Sequence, residues 1–306
     1  MNIFSHSKDG WFTTLLFLAI IMIIILWFKR QDLSPYYEGF TQNEPYVFKR
    51  GSDTFDEFYA EIYNKLMEPE KMCGFQIEKI IEMTKPSSDS SVFLDIGSGT
   101  GEIAGQLTEK GYNVYAIDNS QAMTDYLEKK YPKVHAKCGF VQNSMAYEKE
   151  SFSHVISNGL TIYLFKNKNK FFRNCFFWLK SGGYLILHLV DPKKFDTIVP
   201  GGKPKLLDNP QQYSDKRITD TVIDFIDFKY RGKYDFGNNE KVIFKETFTD
   251  ELTKNVRQQE TEYYMNSMED ILKIASYNGF IPHAQINLSQ CCGDKHQYII
   301  ILERTQ

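Results

Sequence analysis

Val92-Phe93-Leu94-Asp95-Ile96-Gly97-Ser98-Gly99-Thr100-Gly101 is the stretch on which the fold turns. Apolar residues ending in an acid read as a buried parallel strand. Gly97, Gly99 and Gly101 then predict a turn that can pass close to a ligand, because a backbone without Cβ atoms can take unusual φ values. Glu102 to Lys110 (EIAGQLTEK) reads as a helix, so the turn sits at a helix N-terminus. Free N–H groups there suit a carboxylate or another anion.

The glycine spacing excludes one reading and favours another. A dinucleotide fingerprint needs G-x-G-x-x-G, and Glu102 breaks it. Asn113 to Ile117 (NVYAI) forms a second short apolar strand ending in Asp118, about twenty residues past the turn, where a doubly wound fold places an acid for ribose hydroxyls. The rival reading of Asp118 is an N-cap of the next helix, a task Ser120 could perform equally well.

The D-x-G-x-G-x-G run resembles motif I of the class I S-adenosylmethionine-dependent methyltransferases. The resemblance covers about Phe55 to Val190 and resumes near Ser267. It implies cofactor contacts from Asp95, Gly97, Ser98, Gly99 and Gly101, and a ribose role for Asp118. Asn119-Ser120-Gln121-Ala122-Met123 is similar to the family's D-x-S-x-x-M, with Met123 on an adenine face or in plain core. In Gly139 to Ser144 (GFVQNS), Asn143 takes the position of the family's acid near the adenine amine, with Ser144 beside it. Ser151 to Asn158 resembles the fourth strand, usually s-F-D-x-V. Ser153 replaces the Asp, a change expected to touch a structural hydrogen bond, and Asn158 ends the strand over the expected site. Lys170 to Leu179 reads as an amphipathic helix stopped by Ser181-Gly182-Gly183, and Tyr184 to Val190 as the fifth strand. Ser267 to Asn278 is a Ser-capped helix, followed by strands Ile281 to Leu288 and Gln297 to Leu302 joined as a hairpin. The implied fold is α/β: a Rossmann-like seven-stranded class I methyltransferase sheet with an antiparallel β insertion, preceded by one transmembrane helix. S-adenosyl-L-methionine is the implied cofactor.

Composition narrows the classes. The 306 residues carry a net charge of −3 and 42% hydrophobic content, enough for a core and unlike a nucleic-acid-binding surface. Lys166 to Lys170 (KNKNK) reads as a solvated helix start. The five cysteines make no C-x-x-C pair and no zinc spacing, and free thiols in a reducing compartment are expected.

Trp11 to Phe28 (WFTTLLFLAIIMIIILWF) is uncharged over eighteen residues. As a helix it would span ~27 Å, close to a hydrocarbon core. No small-x-small cleavage site follows, so an uncleaved single-pass membrane anchor is expected rather than a signal peptide. Lys29 and Arg30 follow it, whereas Lys8 is offset by Asp9 in front, which places the catalytic domain in the cytosol. The expected organisation is a tail over 1–10, the anchor over 11–28, a linker over 29–52 and a methyltransferase domain over 53–306 with an insertion over 191–266.

Asp53 to Met67 predicts a helix with Phe55, Phe58, Ile62 and Leu66 on one face. Many related methyltransferases cover the cofactor with a Tyr from a comparable helix, for which Tyr59 and Tyr63 are candidates. The insertion predicts strands near Ile218–Phe228, Lys241–Phe248 and Asn255–Tyr264, with a turn at Gly237-Asn238-Asn239, as a substrate lid. Methyl transfer from a sulfonium is an in-line displacement that needs alignment and dryness, plus a base only if the acceptor loses a proton. His188 is the candidate base, with Tyr163 and Asp191 as further pocket candidates. The acceptor (small molecule, lipid or protein) and the oligomeric state stay open. A SAM-binding or scaffold protein without turnover is the alternative, and a nicotinamide oxidoreductase is disfavoured by the glycine spacing. The Phe-, Tyr-, Asn- and Lys-rich wording also resembles methyltransferase-like proteins of large DNA viruses.

Overall fold

The computed structural model describes residues 15–24, 42, 44–204, 209–237 and 241–306. Two units are separated, 1–39 and 40–306. In the first, 15–24 form helix α1, and all ten residues are apolar. The rest of the expected anchor 11–28, the tail 1–10 and most of the expected linker lie outside the described residues. Among the described residues no helix is long and apolar enough to cross a membrane.

The second unit holds two sheets. Its strands are β1 (Tyr46–Arg50), β2 (Val92–Ile96), β3 (Asn113–Asp118), β4 (His135–Cys138), β5 (Phe152–Ser157), β6 (Leu179–Val190), β7 (Asp220–Asp224), β8 (Phe228–Phe236), β9 (Lys241–Asp250), β10 (Val256–Tyr264), β11 (Phe280–Asn287) and β12 (Gln297–Arg304). Its helices are α2 (Glu57–Met67), α3 (Pro69–Thr84), α4 (Glu102–Glu109), α5 (Gln121–Lys130), α6 (Lys168–Trp178), α7 (Met268–Tyr277) and α8 (Ser289–Cys292).

The larger sheet has seven strands in the order β11-β12-β6-β5-β2-β3-β4. Only β12 runs against its neighbours. The first parallel strand, β2, lies centrally, and the chain moves to opposite sides of it through β3 and β5. That reversal opens a crevice at the carboxyl ends of β2 and β5, where open α/β sheets bind ligands. One face packs on α6 and α7 through Phe171, Phe172, Trp178 and Ile271. The other packs on α3 and α4 through Ile77, Ile80, Ile103 and Leu107. Ser153 makes the structural bond expected of it: its hydroxyl accepts from Val92 N at 2.9 Å and donates to Val92 O at 3.0 Å, tying β5 to β2.

The smaller sheet, β1-β10-β9-β8-β7, is the insertion plus one strand from outside it. The expected linker is corrected here. Tyr46–Arg50 pairs in parallel with β10, from Tyr46↔Val256 to Arg50↔Glu260. Tyr46, Val47 and Phe48 are good strand formers, and an open edge on β10 offers them partners. Of the expected turn after β8, residues 238–240 lie outside the described residues.

Two local expectations also shift. The helix predicted from Asp53 starts at Glu57, because Asp56 caps it by accepting from Tyr59 N at 3.2 Å. Its buried face is Tyr59, Ala60, Ile62 and Leu66, packed on Phe228, Tyr230, Phe244 and Phe248 of the small sheet. Lys168, read within a solvated cluster, is buried, and its amine donates to Phe165 O at 3.0 Å and Tyr264 O at 2.8 Å.

A buried polar chain ties α2 to the small sheet. Arg257 grips Asp56 with two bonds of 2.8 and 3.0 Å and donates to Gln259 Oε1. Gln259 donates to Glu246 Oε2 at 2.8 Å, and Tyr59 and Tyr230 each donate to Glu246 Oε1 at 2.9 Å. Burial still pushes the Glu246 carboxyl up to about 7. Its folded value lies above its ordinary value of 4.5. The carboxyl therefore favours the fold fully below that value, and the contribution is lost as pH rises towards 7. Glu246→Gln is expected to remove this loss. Variant stability relative to the parent, from urea denaturation, should rise by at most about 1.4 kcal/mol per pH unit between about pH 5 and 7. A pH-independent difference would mean that Glu246 does not titrate in that window.

Candidate functional site

The glycine turn is built by its own backbone and by its neighbours. Gly97 N donates to Ile117 O at 2.8 Å, and Gly101 N donates to Ser98 O at 2.8 Å. Gly97, Gly99 and Gly101 have φ of 64°, 51° and 80°, the left-handed region that glycine takes without steric cost. A Cβ on Gly97 would lie 2.4 Å from Thr161 Cγ2, and one on Gly101 would lie 2.4 Å from Leu127 Cγ. One on Gly99 would meet nothing within 4 Å. Packing thus demands glycine at the outer two positions, while Gly99 keeps open the space above the turn.

Asp118, at the end of β3, fastens this turn. Its Oδ2 accepts from Gly99 N and its Oδ1 from Ser120 N, both at 2.9 Å. The capping alternative falls to Ser120, whose Oγ accepts from Met123 N at 3.1 Å. Burial raises Asp118 above the usual carboxylate range even so. Asp95, at 2% exposure, is pushed up to about 7, first by burial and then by the charge of Asp118. Two acids therefore share one cleft wall.

The cleft, about 490 Å³, runs along the carboxyl edge of the large sheet. Asp118, Asp95, Asn158 and His188 lie at or just past the ends of four consecutive strands, β3, β2, β5 and β6. Three strand spacings put Asp118 and His188 roughly 14 Å apart. Gly97, Ser98, Gly99, Asn119, Met123 and Tyr63 line the same cleft. Gly101 does not, because its α-carbon faces Leu127 of α5. The far wall comes from the small sheet, through Tyr234, Phe244 and Tyr263.

Four further expected positions move. Asn143 and Ser144 are off the cleft, and Gly139 to Gln142 line it instead. Asn143 caps the short turn Ser144–Ala146 by accepting from Met145 N at 3.1 Å, and Ser144 O accepts from Trp178 Nε1 at 2.9 Å. Tyr163 is fully buried away from the cleft. Its hydroxyl donates to Val190 O at 3.2 Å and accepts from Val190 N at 2.9 Å, so it pins the end of β6. Asp191 is also outside the lining, with Oδ1 accepting from Lys193 N.

His188 does line the cleft, at 3% exposure. Its Nε2 lies 3.0 Å from Gln297 Oε1, and burial pushes the ring down to about 4, so it is neutral near pH 7. Asn158 donates to Cys73 Sγ at 3.5 Å. The sequence reading missed Gln297, Lys203, Tyr234, Phe244 and Tyr263. Residues of β8, β9 and β10 alternate between faces, so the inward tyrosines carried a signal. Gln297 carried none, since nothing local marks which strand would lie beside His188.

Residues 94–187 match a family described as a methyltransferase domain. No curated protein matches the chain significantly. Among solved structures, it resembles an S-adenosylmethionine-dependent methyltransferase from Clostridium acetobutylicum, with 20% identity and TM-score 0.62, over 81% of this chain and 98% of that one. It resembles the CcbJ methyltransferase from Streptomyces caelestis at 13% identity and TM-score 0.59, over 83% and 98%. SAM-bound CalS10, an amino pentose methyltransferase from Micromonospora echinaspora, gives 13% and 0.56, over 77% and 91%. At such identities the likeness is one of fold.

The three glycines are expected to separate packing from ligand approach. Gly97→Ala and Gly101→Ala should lower the thermal midpoint through their contacts with Thr161 and Leu127. Gly99→Ala should cost only backbone strain of about 1–2 kcal/mol, yet weaken S-adenosylmethionine binding by about tenfold or more in calorimetry. Unchanged affinity in Gly99→Ala would mean that the turn does not face the cofactor.

Proposed function

We infer that this cleft is the active site of a class I S-adenosylmethionine-dependent methyltransferase and that it transfers the methyl group to a small molecule enclosed beneath the small sheet. One observation carries the reading. The glycine turn with Asp118 and the aromatic wall with Tyr234 and Tyr263 line one continuous cleft of about 490 Å³. That volume is usual for a small-molecule site.

The residues fit the cofactor. Gly99 leaves open the space that a Cβ would fill. Asp118 accepts from Gly99 N on one carboxylate oxygen and from Ser120 N on the other, and a carboxylate has about four acceptor sites, which leaves capacity for a ribose hydroxyl. Asp95 and Asp118 supply negative charge where a cationic ligand would lie. When bound, S-adenosylmethionine supplies an electrophilic methyl group on a sulfonium. The chain then has to hold the acceptor in line and keep water out. Phe195, Tyr234, Phe244 and Tyr263 make the acceptor end apolar.

Membrane anchoring belongs to the same proposal. The eighteen uncharged residues 11–28, helical and wholly apolar over 15–24, and the Lys29-Arg30 pair behind them support an anchor with the domain on the cytosolic side. The full chain should stay with membranes through an alkaline carbonate wash, and Ile20→Lys with Ile24→Lys should release it. Release of the unaltered chain would end this part of the proposal.

Binding tests the cofactor assignment. Asp118→Ala should weaken S-adenosylmethionine by about 1.4 kcal/mol or more, at least tenfold. The raised Asp95 carboxyl predicts a proton signature: a cation beside it lowers its pKa, so binding near pH 7 should release up to about half a proton. Calorimetry in buffers of different ionisation enthalpy measures this, and Asp95→Asn should abolish it. A folded parent chain that binds no S-adenosylmethionine would overturn the function.

A further inference from the structure

We propose that Cys291 and Cys292 form a two-thiolate site for a soft monovalent metal ion of the copper(I) class, on the β12 side of the cleft.

The backbone brings the two thiols to one point. Both cysteines sit on α8, the short helix between β11 and β12. Each Sγ lies 3.2 Å from the same carbonyl oxygen, Leu288 O, and the two thiols are within hydrogen-bonding reach of each other. Leu288 is fully buried and so fixes the base of this turn. The thiols themselves are not sealed off. Both cysteines are half-buried, and Cys292 lines the cleft, which gives an ion its path of entry. The other three thiols are separate: Cys73 and Cys175 are buried, and Cys138 is exposed at the end of β4.

Geometry favours a bridging ion over a direct sulfur–sulfur bond. Consecutive α-carbons lie about 3.8 Å apart, below the roughly 4.4–6.8 Å that ordinary disulfides span. An ion between the sulfurs widens the ring and removes that restriction. The ligand count then selects the ion. Among the described residues no group of three or more His, Cys, Asp or Glu is placed to hold a metal. Zinc is therefore unmatched, since it takes four ligands in structural sites and three protein ligands in catalytic ones. Calcium and magnesium call for oxygen ligands. Two thiolates suit a soft ion that accepts few ligands, and copper(I) is the one that sulfur donors select.

Charge and protons balance. Binding breaks two S–H bonds and forms two sulfur–metal bonds, both protons pass to water, and no atom changes oxidation state. Two thiolates and one monovalent ion leave a single negative charge. Lys71 stands beside Cys291, and Lys203 stands beside Cys292. Asp294 is also close to Cys292, but its backbone N–H donates to the Cys292 sulfur and supports the thiolate as an outer partner. The site lies four strands along the sheet from Asp118, so the ion uses none of the residues assigned to the cofactor.

The test uses the full chain in detergent, reduced and free of oxygen. Copper(I) is supplied as its bicinchoninate complex, whose colour fades as the protein takes the ion. Uptake should reach about one ion per chain. Cys291→Ser and Cys292→Ser should each weaken it at least about tenfold, Cys138→Ser should leave it unchanged, and an equal amount of zinc(II) should not displace the ion. Phenylarsine oxide, which bridges paired thiols, should block uptake, with dithiothreitol reversing the block and glutathione at equal thiol concentration failing to do so. Undiminished uptake in either α8 variant, an equal loss in Cys138→Ser, displacement by zinc(II), or removal of the arsenical by glutathione as readily as by dithiothreitol would each overturn the proposal. If the serine variants do not fold, the parent chain decides: mass spectrometry should find the arsenical on the peptide that carries both cysteines, and its absence there would overturn the site. No arm requires S-adenosylmethionine, so the outcome stands whether or not the methyltransferase reading does.

Discussion

The bond from Gly99 N–H to the Asp118 carboxylate is the constraint around which the site is organised. It joins the turn after β2 to the end of β3 at 2.9 Å, and so holds the glycine backbone open above the crevice. Its cost is electrostatic. Burial first, and then the charge of Asp118 at the end of β3, raises the proton affinity of Asp95 on the next strand. Two nearby acids in one cleft oppose each other until a positive charge sits between or beside them. Burial of these carboxyls thus disfavours their charged forms, and a cationic ligand beside them would favour those forms again.

The acceptor end is governed by a different element, the small sheet. Its strands contribute the aromatic wall, and its buried chain from Asp56 through Arg257 and Gln259 to Glu246 fixes α2 against it. Tyr59 belongs to both assemblies: its ring lines the cleft while its hydroxyl donates to Glu246. The position of α2 over the cleft is therefore set by polar contacts behind it as well as by apolar packing. Sequence periodicity predicts that α2 has an apolar face. It cannot predict that the face would carry a tyrosine bound to a glutamate nearly two hundred residues away.

The parts of the molecule that could be read from the sequence are those whose signals are local. Gly97, Gly99 and Gly101 report a backbone conformation, Asp118 follows at a fixed spacing, and the alternating strands and helices yield the seven-stranded sheet and its terminal hairpin. The readings that moved depend on chain segments far apart in sequence. Asn143 was placed by a family position, but the loop closes one residue earlier and spends Asn143 on a cap. Tyr163 looked available because it follows β5, yet the backbone of Val190 occupies its hydroxyl. Tyr46–Arg50 looked like linker because a single edge strand has no identity until β10 is present. Lys168 looked solvated because the carbonyl of Tyr264, which holds its amine, lies elsewhere in the chain.

That pairing of β1 with β10 also sets an order of events during synthesis. Tyr46 leaves the ribosome about two hundred residues before its partner Val256, a wait of roughly 10–40 s at ordinary elongation rates. The core strands β2 to β6 can associate within that interval, but β1 has no edge to join until β10 is made. The aromatic wall is likewise incomplete until Tyr263 emerges. The nascent chain therefore exposes a half-formed apolar cleft and an unpaired Tyr-Val-Phe strand together, and this is the interval in which a chaperone has most to protect.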